Sequence, residues 1–131
     1  MTKRSNGFTV IELVFIIAIA AAASIIFFVQ KNNIQTVAED DTKKTAINSI
    51  YYSLEEVYYK QNNYYPQTID STVLPSVDPA LFADPNGIVI GSAGSAYQYN
   101  PINCSSNKCK SYTLKATLAK EADYIKTSRN N

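Results

Sequence analysis

Phe8–Val29 reads FTVIELVFIIAIAAAASIIFFV, 22 residues interrupted by a single carboxylate, Glu12. At about 1.5 Å per residue a helix of that length would span roughly 33 Å, enough to cross a hydrocarbon core. Lys3 and Arg4 precede the run and Lys31 follows it. The short basic side is expected to stay cytoplasmic, which puts the C-terminal hundred residues outside. The apolar run continues through Ile25, Ile26, Phe27, Phe28 and Val29, past any Ala-x-Ala cleavage site within Ala18–Ala23. An ordinary cleaved signal peptide, the bland alternative, would stop earlier and gain nothing from an acid.

Around this segment the composition is lopsided. Four of the five Phe lie in the first 28 residues, whereas all ten Tyr follow Ser49. The first part suits a fully apolar solvent, and the remainder suits interfaces where a ring packs while its hydroxyl stays wet. Net charge is +1, and without Lys3 and Arg4 the chain carries 10 basic and 11 acidic side chains, so no strongly charged partner is implied. The chain has no His, hence neither the usual general base nor the commonest metal ligand. No nucleophile–base pair is visible, no cofactor is called for, and the chain is not expected to be an enzyme.

Glu12 needs a reason, because a charge inside a membrane helix costs at least about 2.5–3.5 kcal/mol on insertion scales. Arg4 is eight residues back, more than two helical turns. A cut just before Phe8 would create an α-amino group four residues from Glu12, one turn away, in the same subunit or a neighbour.

The run Lys3-Arg4-Ser5-Asn6-Gly7-Phe8-Thr9-Val10-Ile11-Glu12-Leu13 closely resembles the N-terminal signal of type IV prepilins and pseudopilins: a short basic leader ending in Gly, then Phe-Thr-x-x-Glu opening an apolar helix. The resemblance implies cleavage by a prepilin peptidase between Gly7 and Phe8 and N-methylation of Phe8, with Glu12 serving assembly. Many members carry a Pro in the second half of the apolar helix. Here no Pro precedes Pro66, and a continuous helix is expected.

That helix should run on to about Asn62. Ile47, Ile50, Tyr51, Leu54, Val57 and Tyr58 follow steps of three and four, the stripe of an amphipathic helix, and Ile34, Val37 and Ala38 fit the same pattern. The stripe is the surface on which the remainder would pack. Glu39-Asp40-Asp41 before Lys43-Lys44 offers the i,i+4 pairs Glu39/Lys43 and Asp40/Lys44 on what reads as a solvated face.

From Asn62 the punctuation changes, with all five Pro and three of the four Gly falling by Pro101. Asp78-Pro79 can open a short helical turn, and Asp84-Pro85-Asn86-Gly87 is a strong β-turn sequence. Gly87–Ile90, Ala96–Asn100 and Ser111–Ala119 read as strands; in the last, Tyr112, Leu114, Ala116 and Leu118 alternate with polar residues. The expected fold is α+β: a long N-terminal helix, apolar in its first half, with a small antiparallel sheet of about three strands on its second half. The expected divisions are a leader over 1–7, a transmembrane or filament-core helix over 8–30, its amphipathic continuation over 31–62, a β-rich head over 63–125 and a tail over 126–131.

Cys104 and Cys109 bracket Ser-Ser-Asn-Lys in an expected turn outside the membrane, which favours one disulfide over a metal site. Asp78, Asp84 and Asn86 could offer oxygens to calcium, but their spacing matches no defined calcium loop and turn or cap roles explain them; no metal site is assigned. Lys108, Lys110, Lys115, Lys120, Lys126 and Arg129 make the C-terminal part basic, a surface that could contact DNA or an anionic cell surface. The plain alternative is a solvated tail.

The leading expectation is a structural subunit of a type IV pilus. It would be held in membrane lipid as a precursor, clipped after Gly7, and drawn by an assembly platform and its ATPase into a homo-oligomeric helical filament at the cell surface, serving adhesion, twitching motility or DNA uptake. The alternative is a pseudopilin of a type II secretion or competence system. A third class, a membrane-anchored binding module or enzyme acting through its head alone, would not need cleavage at Gly7.

Overall fold

Thr9 sets the start of the first helix. The computed structural model describes residues 7–130, and helix α1 runs from Val10 to Tyr52. Its first turn hangs from Thr9, whose carbonyl accepts the N–H groups of Glu12 and Leu13, each at 3.1 Å. No Pro or Gly lies between Val10 and Asn62, so nothing in the backbone stops the helix. It continues as a π-helical segment, Ser53–Tyr58, and closes in one α-helical turn, α2, Tyr59–Asn62. Asn63 ends it in the left-handed region at φ 60°, donating its N–H to the Tyr59 carbonyl. Asn tolerates that conformation better than most side chains, and Pro66 then forbids a restart.

The chain divides into two compact units between Gln35 and Thr36. In the first, the apolar side chains from Phe8 to Ile34 are exposed, Phe15 by 67%. An 18-residue window of this helix has a mean hydropathy of 2.8, so by length and composition it can cross a membrane.

The second unit holds the core. Ile47, Ile50 and Leu54 of the helix are fully covered, as are Tyr65, Tyr112 and Leu114. The sheet is antiparallel throughout, with strands β1 (Tyr65–Pro66), β2 (Tyr97–Ser105), β3 (Lys108–Ala116) and β4 (Tyr124–Thr127). β3 is its centre. β2 pairs along one edge from Tyr97↔Ala116 to Ser105↔Lys108, while β1 and β4 share the other, at Tyr65↔Cys109 and from Ala116↔Tyr124 to Thr113↔Thr127. The two residues between β2 and β3, Ser106 and Asn107, both have positive φ (48° and 64°), the twist that suits a tight hairpin. The α+β class and the helix to Asn62 are as expected, and Tyr112, Leu114, Ala116 and Leu118 all point inward.

Five expectations need correction. Gly87–Ile90 forms no strand among the described residues, only a single bridge, Ala83↔Val89. The Asp84 carboxylate takes the N–H groups of Asn86, Ile88 and Ala96 and holds this stretch as a loop instead. The sheet gains a fourth strand, β4, which crosses the expected boundary between 125 and 126. The residues beyond it are fastened: the Arg129 guanidinium meets Glu56 and the Tyr51 hydroxyl. The stripe also loses phase. A π turn adds one residue per turn, so Ser53, Leu54 and Glu55 are buried in succession and Val57 is left 38% exposed. Ile34, Val37 and Ala38 are exposed rather than packed. Finally Asp40, placed on a solvated face, is only 2% exposed. It accepts the N–H groups of Ala119 and Lys120 just past β3 and pairs with Lys43, while Lys44 reaches Glu121 at 2.7 Å.

Candidate functional site

The residues singled out for processing lie at the start of the helix. Gly7 and Phe8 precede α1 and are exposed; a side chain at Gly7 would meet nothing within 4 Å. Glycine here is therefore not required by packing within the chain. Lys3 and Arg4 lie outside the described residues.

Glu12 occupies the third helical position. Its N–H lies 3.4 Å from the Thr9 hydroxyl oxygen as well as bonding the Thr9 carbonyl. Thr9-x-x-Glu12 is thus the spacing of a capping box, and an acid in the first turn is favoured by the helix dipole. That signal was legible as Thr followed three residues later by Glu ahead of an apolar run. It gives Glu12 a local reason for being at this position. It does not neutralise the carboxylate, whose neighbours Ile11, Leu13 and Phe15 are apolar. No ion pair reaches Glu12 among the described residues.

The two cysteines form the expected disulfide. Cys104 and Cys109 are register partners across β2 and β3, so the bond staples the hairpin just inside its turn. Cys109 is fully buried and Cys104 exposed. Asp78 caps the short 3-10 turn Pro79–Phe82 through the N–H of Ala80. With Asp84 spent on three backbone donors, both aspartates considered for calcium are engaged in turns and caps.

A second carboxylate escaped the sequence reasoning. Glu55, in the π-helical segment, is 4% exposed. It accepts the Tyr65 hydroxyl at 3.0 Å, the Tyr112 hydroxyl at 2.8 Å and the Arg129 N–H at 3.3 Å. Three neutral donors thus replace the water it lost. Burial pushes the Tyr65 hydroxyl up to about 12, with the Asn130 amide opposing and the Glu55 carboxylate adding to the rise. Tyr112 is raised further by burial and then by the same carboxylate. Regular helical spacing would have put Glu55 on the wet side, and nothing in the sequence announces the π turn. This cluster is buried, and it joins helix, sheet and C-terminus.

The structure therefore presents a helix start with an exposed Gly7–Phe8 bond and a capped Glu12, well separated in sequence from a stapled sheet. No protein-family model, no curated protein and no solved structure matches the chain.

Proposed function

We propose that this chain is the precursor of a type IV pilin-like filament subunit. It is cut between Gly7 and Phe8, and its N-terminal helix serves first as membrane anchor and then as the core of a helical filament. One observation carries the proposal: the large apolar side chains from Phe8 to Val29 are exposed. Such a surface is stable only in lipid or against other apolar helices, and the two environments correspond to the two states of a filament subunit. Within a bundle of such helices, the new ammonium at Phe8 would relieve the Glu12 carboxylate. A subunit in the wrong register would leave that acid buried and unpaired, which is a large penalty.

The test is to express the full chain with a prepilin peptidase, sequence the mature N-terminus, and examine sheared cell-surface material by electron microscopy. The expected protein begins at Phe8, carries one added methyl group and occurs in fibres. Glu12→Ala should still be inserted and cleaved yet yield few or no fibres. A mature chain beginning anywhere else, or normal fibres from Glu12→Ala, would overturn the proposal.

A further inference from the structure

We propose that the cleft between the end of the helix and the β2–β3 hairpin binds an acidic saccharide. Its ring would lie against Tyr59 and Tyr64, and its carboxylate or sulfate on Lys108 and Lys110.

Two adjoining hollows of about 280 and 690 Å3 share Tyr64, Ser106 and Lys108. Together they are in the size range of small-molecule sites. The walls are aromatic on one side and donor-rich on the other. Tyr59 stacks one ring face on the buried Tyr65, with centroids 4.8 Å apart and planes at 29°, and it lines the larger hollow. Tyr64 meets Tyr58 edge-on at 5.9 Å. Lys108 holds its ammonium 5.0 Å from the centre of the Tyr64 ring. Lys110 lines the larger hollow as well, and neither hollow is lined by a carboxylate. Neither lysine is in an ion pair among the described residues.

This chemistry selects the ligand. Two ammonium groups without a nearby acid favour an anion. The amide side chains of Asn63 and Asn103, also in the larger hollow, can give and take hydrogen bonds with sugar hydroxyls. Tyrosine rings offer flat apolar faces with a polar edge. A single nucleic-acid strand is the poorer fit. It needs a stacking platform for each successive base, whereas this cleft offers two rings at most, Tyr59 and Tyr64, each with a neighbour already over one face.

The site is also set before any ligand arrives. The Cys104–Cys109 bond and the two-residue turn fix the hairpin wall, so little ordering is left to oppose binding. The cleft lies wholly within residues 58–110 and takes no residue from the exposed apolar segment before Val29. Its failure would leave the filament proposal standing, and the reverse also holds.

Calorimetric titration of the full chain in detergent micelles tests it. The probes are a hyaluronan tetrasaccharide for the carboxylate arm, a heparin-derived tetrasaccharide for the sulfate arm, maltotetraose as neutral control and a thymidine tetranucleotide. Saturable one-to-one binding of at least one acidic probe is expected, weakened about tenfold or more by Lys108→Gln and by Lys110→Gln and unchanged by Lys126→Gln, whose ammonium instead sits over Tyr51 and Tyr124. Tyr64→Ala should weaken binding similarly; if it unfolds, the surface lysine variants still decide. Absence of binding by both acidic probes would overturn the proposal. So would equal binding of maltotetraose, tighter binding of the tetranucleotide, or a loss in Lys126→Gln matching that in Lys108→Gln.

Discussion

Val10–Val29 and Ala46–Tyr51 belong to the same helix and draw on similar aliphatic and aromatic side chains, yet their fates are opposite. Ile11, Phe15 and Ile25 are exposed, whereas Ala46, Ile47 and Ile50 are sealed. Hydrophobicity does not separate the two regions, since the exposed one is the more apolar. What separates them is patterning. Between Ala46 and Tyr51 the apolar residues lie on one side and Asn48 and Ser49 on the other, so a sheet can cover one face while water reaches the rest. Between Val10 and Val29 the apolar residues go all the way round, and no single partner surface could cover them. An all-round apolar helix needs an all-round apolar environment.

The largest effect expected from this contrast separates two core-sized truncations. Ile50→Ala should cost the β-rich unit about 3–4 kcal/mol in denaturant unfolding, while Phe15→Ala should leave that transition where it was. A comparable shift from Phe15→Ala would mean that the first region supports the second. Next comes the buried carboxylate. Glu55→Ala strands two tyrosine hydroxyls and the Arg129 N–H and should cost about 2–3 kcal/mol, with Glu55→Gln costing less because an acceptor oxygen remains. Equal losses would show that the charge matters rather than the hydrogen bonds. Replacing both Cys104 and Cys109 by Ala should cost about 2 kcal/mol by the loop-closure model, measured as a lower denaturant midpoint with the sheet signal in circular dichroism retained.

The smallest effects are in pH. Asp40 titrates below its ordinary 3.8 because the Ala119 N–H, helped by Lys120 and Lys43, outweighs the cost of burial. At Asp84 burial again opposes ionisation and is overcome by the N–H groups of Ala96, Ile88 and Asn86. Carboxylates depressed in the folded state stabilise it above their unfolded value, and that contribution is lost as pH falls through the folded value. Thermal stability of the β-rich unit should therefore hold above about pH 5 and decline below about pH 4. At the alkaline end the sign is reversed in pH: burial raises Tyr65 and Tyr97 from 10.0 to about 12, so stability should fall as pH rises from 10 towards 12. Tyrosinate absorbance rising fully near pH 10 without unfolding would contradict the buried hydroxyls.

Much of the fold could be read in advance, for physical reasons tied to particular residues. A run without Pro or Gly to Asn62 has no reason to stop, and alternation at Tyr112, Leu114, Ala116 and Leu118 commits one face of a strand to the core. Two cysteines flanking a four-residue turn can meet. The misreadings share a cause as well. Asp40 and Glu55 look like surface acids because charge is ordinarily solvated, but each is also held by donors more than 50 residues away, at Ala119 and Lys120 or at Tyr112 and Arg129. Tyr58 reads as part of the packing stripe and does pack against the core, but only the hairpin folding back beside it, Tyr59 and Tyr64 makes a cleft.

Local spacing and composition are enough to specify the helix, its apolar first half, the place of Gly7, Phe8 and Glu12, and the pairing of the cysteines. These depend on interactions between residues near one another in the chain, where composition and spacing are sufficient. The tertiary structure alone decided which acids are buried, where the helix loosens into a π turn, and that the C-terminus is clasped by Tyr51 and Glu56. Each of these depends on a donor or a packing partner brought from a distant part of the chain.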